Sequence, residues 1–349
     1  MEQLRTLIGM SGGVDSSVAA QLMQRLGPCT GVTMHLYGES GNSIADARAV
    51  CHTLEMEHLL WDLREEFEQL VIQDFIRSYE NGQTPNPCIR CNSSLKFGLL
   101  LDRALAQEFD AVATGHYARV QQDPDTGRYL LYKALDRKKD QTYFLACLNQ
   151  HQLAHTRFPL GELTKEQVRS LAEVQGLLTA PKRDSQDICF VPDGDYVAFM
   201  ERHTGKTYPD GNYVDLNGKI IGRHRGAVCY TIGQRKGLGI ALGAPAYVCR
   251  KDMQKNTVTL GPNEALFADT LLAKDFNWIP FPALSGPMRV GAKIRHSQFE
   301  QPATVYPEED GMVRVVFDQP QRAISPGQAV VLYDGDLVVG GGTIVKAVY

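Results

Sequence analysis

Two stretches of this chain hold residue types that could do chemistry together. The first is Ser11-Gly12-Gly13-Val14-Asp15-Ser16-Ser17. Glycines let a backbone turn tightly and approach an anion, a helix N-terminus offers unpaired N–H groups and partial positive charge, and serine hydroxyls add donors. Set between an apolar strand and an amphipathic run, these residues describe a phosphate cradle. The stretch lacks the Gly-Lys-Ser/Thr ending of a Walker A loop, which argues against a kinase or a GTPase. Helix capping alone would need one such residue rather than the whole set.

The second stretch is Thr84-Pro85-Asn86-Pro87-Cys88-Ile89-Arg90-Cys91-Asn92, a stiff loop with a Cys-x-x-Cys ahead of a helix expected to begin near Ser93. A helix N-terminus and a neighbouring arginine lower a thiol pKa, so Cys91 is a candidate thiolate. A third cysteine lies far downstream in Asp184-Ser185-Gln186-Asp187-Ile188-Cys189-Phe190. Its flanks, with Pro192, Asp193 and Gly194 beyond, have the composition of a loop able to take two positions. On residue type alone, a Cys-x-x-Cys with one further cysteine is half of a zinc or iron–sulfur site. No second Cys-x-x-Cys completes it at zinc-finger spacing. Cys29, Cys51, Cys147, Cys229 and Cys249 stand in apolar surroundings and read as buried small hydrophobes.

The elements that must position these residues follow from periodicity. Over the first 116 residues, apolar stretches at Leu4–Met10, Gly31–Leu36, His58–Leu63 and Ala111–Thr114 alternate with helical patterns. That alternation predicts an α/β domain with a doubly wound parallel sheet. Val14, Val18, Leu22 and Leu26 give the first helix its buried stripe, and Gly27 ends it. A hairpin is expected from Ala118–Gln121 and Tyr129–Lys133, and Thr164-Lys165-Glu166-Gln167 reads as a capping box. Beyond residue 203 the texture changes. Of the 32 glycines, 18 lie in residues 205–349, between Val- and Tyr-rich strands such as Tyr247–Arg250, Thr257–Leu260, Val313–Phe317 and Ala329–Tyr333. Pro280, Pro282, Gly286 and Pro287 suggest a boundary within this β-rich part. The expected division is 1–203, an α/β domain with the phosphate loop and the reactive cysteines, then 204–280, a central β-rich module, then 281–349, a terminal β-barrel.

Composition narrows the setting. A chain of 349 residues has room for two or three domains, each with its own core. No apolar run approaches the roughly 18 residues of a membrane span, and Thr6–Met10 is too short for a signal peptide. The expectation is a soluble, cytoplasmic protein with no membrane partner. Eight cysteines are too few and too scattered for a disulfide scaffold. Net charge is −4, from 36 Lys+Arg against 40 Asp+Glu, so a polyanionic partner must meet a local basic patch.

The SGGVDSS stretch resembles the PP-loop ATP pyrophosphatases, which cleave ATP between the α- and β-phosphates and adenylate a substrate oxygen. The resemblance implies ATP and Mg²⁺, with Gly9, Met10, Ser11, Gly12, Gly13, Val14, Asp15 and Ser16 on the nucleotide. It also implies Met34 and Gly115 beside the adenosine, at the carboxyl ends of strands. On its own, Met34 reads as a core methionine. Taken together, SGGVDSS, TPNPCIRCN, TGHYAR, KDQTYFL, DSQDICF and RAISPGQAVVLYDGD are similar to the tRNA-specific 2-thiouridylase family over nearly the whole chain. That family replaces the C2 oxygen of uridine 34 in Lys, Glu and Gln tRNAs with sulfur. By motif match, Cys91 would be the nucleophile, and Cys189 would receive a persulfide from a sulfur relay protein or cysteine desulfurase. Asn86, Pro87 and Cys88 would line the base pocket, and Lys139, Asp140, Gln141, Arg295 and His296 would meet tRNA. The family often has an Asp where this chain has Cys88. That departure leaves open a [4Fe–4S] cluster on Cys88, Cys91 and Cys189. Lys219, Arg223, Arg225, Arg235 and Lys236 are further basic candidates, although scattered cations on β modules are usually solvated surface.

Two rival functions remain at this level. An ATP-dependent amide-forming synthetase would need the loop but not the cysteines. A non-catalytic tRNA-binding protein would hold nucleotide as a switch.

Overall fold

The computed structural model describes residues 4–38, 41–176 and 188–349. Asp184, Ser185, Gln186 and Asp187 of the third motif lie outside the described residues. Strands β1 (Thr6–Gly9), β2 (Cys29–His35), β3 (Glu57–Asp62) and β4 (Ala111–Ala113) form a parallel sheet, as their apolar runs predict. A hairpin follows, β5 (Ala118–Gln122) and β6 (Tyr129–Lys133), and then a two-residue strand, β7 (Thr156–Arg157), too short to leave a periodic signal. The sheet order is β3-β2-β1-β4-β7. The order reverses at β1, so the crevice between the β1 and β4 exits is the natural ligand site of such a sheet. One face packs on Ile8, Met10, Val14, Val18 and Val168, the other on Leu7, Val32, Leu100 and Val112. The helix α1 (Val14–Gln24) lies against the helix Lys165–Val174, whose start carries the expected capping box of Thr164 and Gln167.

The central module is a four-stranded sheet of β8 (Gly211–Val214), β9 (Ile220–His224), β10 (Tyr247–Asp252) and β11 (Thr257–Gly261), ordered β10-β11-β8-β9. It does not bury a core of its own. Val248, Val258 and Leu260 join one cluster with Phe67, Phe75, Ile76, Phe190, Phe199 and Met200. Four short strands cover too little apolar surface to stand alone.

The terminal module is a closed barrel of β12 (Phe267–Trp278), β13 (Met288–Lys293), β14 (Gln301–Pro307), β15 (Val313–Arg322), β16 (Ala329–Asp334) and β17 (Leu337–Val348). Pairing of β12 with β17 closes it. Strand pairing therefore moves the expected junction at 280 back to the stretch before β12. The Pro-rich residues 280–287 instead connect β12 to β13, because proline serves a strand connection as well as a domain linker. The β5–β6 hairpin leaves its own domain and pairs with the barrel through Tyr132 and Leu337. Lys133 N–H donates to Asp336 O at 2.9 Å and Arg119 pairs with Asp336 at 3.1 Å, which fixes the hairpin there. Among the described residues no helix is long and apolar enough to cross a membrane.

Phe75 stands at the centre of the shared core, with ring centroids 5.1 Å from Phe190 and 4.9 Å from Tyr79. Phe75→Ala should cost about 3–5 kcal/mol and lower the first calorimetric transition. Phe299→Ala, at a residue 89% exposed, should leave that transition unchanged. Equal melting of both variants would contradict a shared core.

Candidate active site

At the end of β1 the Met10 N–H donates to Val32 O at 2.8 Å, which carries the chain into the crevice. Gly12 has φ +70, and a Cβ there would sit 2.4 Å from Ser43 O, so only glycine makes this turn. Gly13 is the extended N-cap of α1 and contributes no side-chain cap, which leaves the first-turn amides to an anion. Two of the serines do not reach outward as their sequence suggests. Ser16 Oγ and Ser17 Oγ both donate to Gly13 O, at 3.0 and 2.8 Å, and Ser16 Oγ also accepts from Ser11 N–H. They hold the loop's shape, which leaves for a phosphate the backbone amides and the exposed Ser11 hydroxyl, itself 3.1 Å from Ser16 Oγ.

Asp15 is more engaged than its motif indicates. Its carboxylate accepts from Tyr117 O–H at 2.8 Å and from Lys165 Nζ at 2.7 and 2.8 Å. Lys165, only 8% exposed, comes from the first turn of its helix, and its backbone N–H donates to Asp136 at 3.0 Å. Neither Lys165 nor Tyr117 was singled out by sequence. The capping box located the helix but not the reach of its lysine. Gly115 lies against the loop: a Cβ there would fall 2.7 Å from both Asp15 C and Ser16 N. Gly9 faces Thr114. Met34, near the end of β2, is half-buried beside the Leu7, Val32 and Leu100 cluster, as a core methionine would be.

The cysteine helix begins earlier than expected. Asn86 caps it, its Oδ1 accepting from Ile89 N–H at 3.4 Å, and Pro87 occupies the first turn. The Asn-Pro pair is the signal that could have found this start. The helix Pro87–Cys91 continues through a π-helical segment, Asn92–Leu99, into Leu100–Ala106. Such π segments often mark functional sites. Cys91 is therefore one turn into the helix and buried, while Cys88 and Cys189 are exposed. The expectation of a resting thiolate is corrected on this point. Burial pushes the Cys91 thiol up, with Lys96 pulling it partly back. Arg90 turns away, donating to Leu70 O at 3.2 Å.

The same neighbours recur around each thiol. Although each has one open side, surrounding protein raises Cys88 as well, and it raises Cys189 to about 11. The charges of Cys91 and Cys88 raise Cys189 further, and Lys96 opposes the rise at all three. Half-buried Lys96 is thus within electrostatic reach of all three thiols. His116 links this cluster to the phosphate loop. It follows Gly115, its Nδ1 lies 2.8 Å from Thr114 Oγ1, and its ring sits 5.6 Å from Phe97. Burial, and secondarily Lys96, hold its pKa well below the usual histidine value, so it is neutral at pH 7.

The residues expected to meet tRNA form a second cluster. Asp140 accepts from Ala134 N–H and Thr142 O–H, and Gln141 Oε1 accepts from Tyr117 N–H at 2.9 Å. Lys139 N–H donates to Asp136 O in the same turn. His296 lies 4.4 Å from the Phe144 ring, and Arg295 donates to Ala323 O at 2.7 Å and Ser325 Oγ at 2.9 Å. The KDQ turn and the Arg295–His296 pair thus meet at the junction of two domains. Lys219, Arg223, Arg225, Arg235 and Lys236 are all exposed on the central module.

Family models described as a tRNA methyl transferase HUP domain, a tRNA methyl transferase PRC-barrel domain and an aminomethyltransferase beta-barrel domain match residues 4–193, 197–262 and 268–344. The tRNA-specific 2-thiouridylase MnmA of Acetivibrio thermocellus is 48% identical over 358 residues, covering 99% of this chain and 100% of that one. The chain belongs to the tRNA-specific 2-thiouridylase family. The MnmA of Heliobacterium modesticaldum is 49% identical, covering 97% of this chain and 92% of its own. Among solved structures, the U34-tRNA thiolase NcsA from Methanococcus maripaludis with its [4Fe-4S] cluster matches with a TM-score of 0.37 at 17% identity. That match covers 58% of this chain and 68% of that one, too loosely to bear on the site. The family's PP-loop domain agrees with the loop geometry on ATP use.

Asp15→Ala should abolish conversion of ATP to pyrophosphate. Lys165→Met should reduce it about a hundredfold or more, the scale for losing one charged stabiliser. A pyrophosphate-release assay with tRNA present checks both, and unchanged release by either variant would contradict the assigned geometry.

Proposed function

We propose that this protein is a tRNA uridine 2-sulfurtransferase that uses ATP to activate the C2 oxygen of uridine 34 and a cysteine persulfide to replace it. The observation that carries the reading is that buried Cys91, on the Asn86-capped helix, and exposed Cys189 lie within electrostatic reach of each other and of Lys96, while Gly115, next to His116, is seated on the phosphate loop. An amide-forming synthetase has no use for that pairing. Full-length relatives with 2-thiouridylase names support the same reading.

The chemistry follows from the need for a leaving group. A urea-like C2 oxygen leaves poorly. In this reading it attacks the α-phosphorus of ATP, pyrophosphate departs over the loop amides, and the oxygen becomes part of an AMP ester. Lys165 would balance the charge growing on the departing phosphates. Mg²⁺ would bring further positive charge to these phosphates. The Asp15 carboxylate already accepts three hydrogen bonds, so about one of its roughly four acceptor sites remains for the metal, shared with Lys165.

Sulfur then arrives on Cys189, loaded as a persulfide by a relay protein or cysteine desulfurase. Cys189 is the exposed member of the pair, as loading requires, and Cys91 is the buried one. In one route the terminal persulfide sulfur attacks C2, AMP leaves with the oxygen, and Cys91 then attacks Cys189 Sγ, releasing the thiouridine sulfur. In the other, Cys91 attacks Cys189 Sγ first and frees hydrosulfide, which attacks C2. Both end with a Cys91–Cys189 disulfide, which an external thiol must reduce.

The base must leave its stack to be reached, and anticodon-loop uridines of Lys, Glu and Gln tRNAs can be splayed out at low cost. Asn86, Pro87 and Cys88 are the proposed pocket wall, with Lys139, Asp140, Gln141, Arg295 and His296 on the tRNA. The [4Fe–4S] alternative is not built into this reading. Among the described residues no three His, Cys, Asp or Glu side chains are arranged to hold a metal ion, so no step is routed through a cluster.

Nucleoside mass spectrometry of Lys tRNA incubated with ATP and a persulfide source should detect 2-thiouridine at position 34. Cys91→Ser and Cys189→Ser should each lower its yield at least about a hundredfold. Yield that survives either change would overturn the assignment. Because surrounding protein raises the Cys189 thiol to about 11, its alkylation in the free protein should rise about tenfold per unit from pH 7 to pH 9. A flat profile would contradict the resting thiol described above.

A further inference from the structure

The reaction outlined above uses only half of the Cys-x-x-Cys: Cys91 exchanges sulfur with Cys189, and Cys88 has no chemical step. The structure puts Cys88 where it can take one. Asn86 caps the helix and Pro87 opens it, so Cys88 and Cys91 stand three residues apart in one helical stretch, where Asn92 N–H donates to Cys88 O. Residues at that spacing share a helix face. Arg90, between them, is drawn off to Leu70 O at 3.2 Å. Cys88 is exposed, Cys91 is buried, and the charges of both act on Cys189.

The spent protein shows what a third thiol could do. In the reading above each turnover leaves a Cys91–Cys189 disulfide. An external thiol meets it at exposed Cys189, because Cys91 is buried. Attack there caps Cys189 with that thiol and frees Cys91, which is placed to attack Cys189 Sγ again and restore the bond. Cys189 then stays closed to loading.

We propose that Cys88 is a resolving thiol: it attacks Cys91 Sγ of the spent disulfide, moves the bond to Cys88–Cys91 within the helix, and returns Cys189 free for a new persulfide. The step is a thiol–disulfide exchange. Cys88 gives its proton to solvent and its sulfur bonds to Cys91 Sγ. The Cys91–Cys189 bond breaks, and its electron pair leaves on Cys189, which takes up a proton. One disulfide and one thiol stand on each side, so the step is redox-neutral. Lys96, within electrostatic reach of Cys88, favours the attacking anion.

Cβ atoms three apart on a helix lie roughly 5–6 Å from each other, whereas a relaxed disulfide holds them at about 3.5–4.5 Å. The helical bond is therefore strained and easily reduced. It also presents exposed Cys88 to the external reductant, a dithiol or two monothiols, which leaves as its own disulfide.

This inference rests on the thiolation reading only for its turnover arm; its exchange arm stands alone. Full-length parent and Cys88→Ser proteins, without nucleotide or tRNA, are oxidised with one equivalent of diamide, quenched in acid and mapped by non-reducing peptide mass spectrometry. In the parent, Cys88–Cys91 should hold at least about one-tenth of the disulfide. When glutathione is added, the Cys189 thiol, counted by alkylation, should return about tenfold faster in the parent than in Cys88→Ser. The parent's own bond map keeps the test independent of any folding defect in the variant. In the turnover arm, parent taken through one round on Lys tRNA should show Cys91–Cys189 first and Cys88–Cys91 after it. A parent in which Cys88 is never found bonded to Cys91 overturns the proposal, as does a Cys88→Ser protein that regains Cys189 at the parent's rate. If the oxidised parent exchanges as described while turnover yields neither disulfide nor 2-thiouridine, the thiolation reading fails and the resolving thiol stands.

Discussion

The backbone of Gly115 runs so close to that of Asp15 and Ser16 that no side chain fits between them, and this contact makes one site out of two. It seats the loop after β4 directly on the start of α1. That in turn brings Tyr117 to Asp15, and it turns His116 toward Phe97 and the cysteine helix. A bulkier residue at 115 would push the loop after β4 off the start of α1. For the proposed reaction, which activates an oxygen and replaces it before water intervenes, the two groups must stay together.

Around this contact the charges are arranged economically. Asp15 is neutralised by Lys165, so the loop is not a bare carboxylate facing a polyanion. Lys96 is the cation common to the three thiols, each otherwise kept protonated by burial. A resting thiol is less open to stray oxidants than a thiolate, and Lys96 is placed to favour the charged form when it is needed. The distant modules are tied to the same centre. The central sheet shares the aromatic core that holds Phe190 beside Cys189, and the barrel both receives the β5–β6 hairpin and abuts the cysteine loop.

Much of this was legible in the residues. The phosphate loop, the parallel sheet, the hairpin and the capping box of Thr164 all follow from periodicity and turn chemistry acting over a few residues. What sequence hid was long-range. Lys165 reaches Asp15 across 150 positions, and nothing local marks it apart from other first-turn lysines. The serines of the loop were legible as donors, but not as donors to their own backbone. The prolines at 280–287 carry the same local preference whether they join domains or barrel strands, and only the pairing of β12 with β17 decides between them. The helix starts at Pro87, ahead of the cysteines and not after them, and this puts Cys91 on the buried side of a turn and not at a helix terminus.

The central proposal is that the phosphate loop and the thiols act on one and the same bond, C2–O: the loop activates the oxygen that sulfur then displaces from the carbon. A tRNA carrying ¹⁸O at C2 of uridine 34, taken through a single turnover with ATP and persulfide, tests this directly. The account predicts that the label leaves in the phosphate of AMP, one atom for each 2-thiouridine formed. Label recovered in water, with AMP unlabelled, would contradict it.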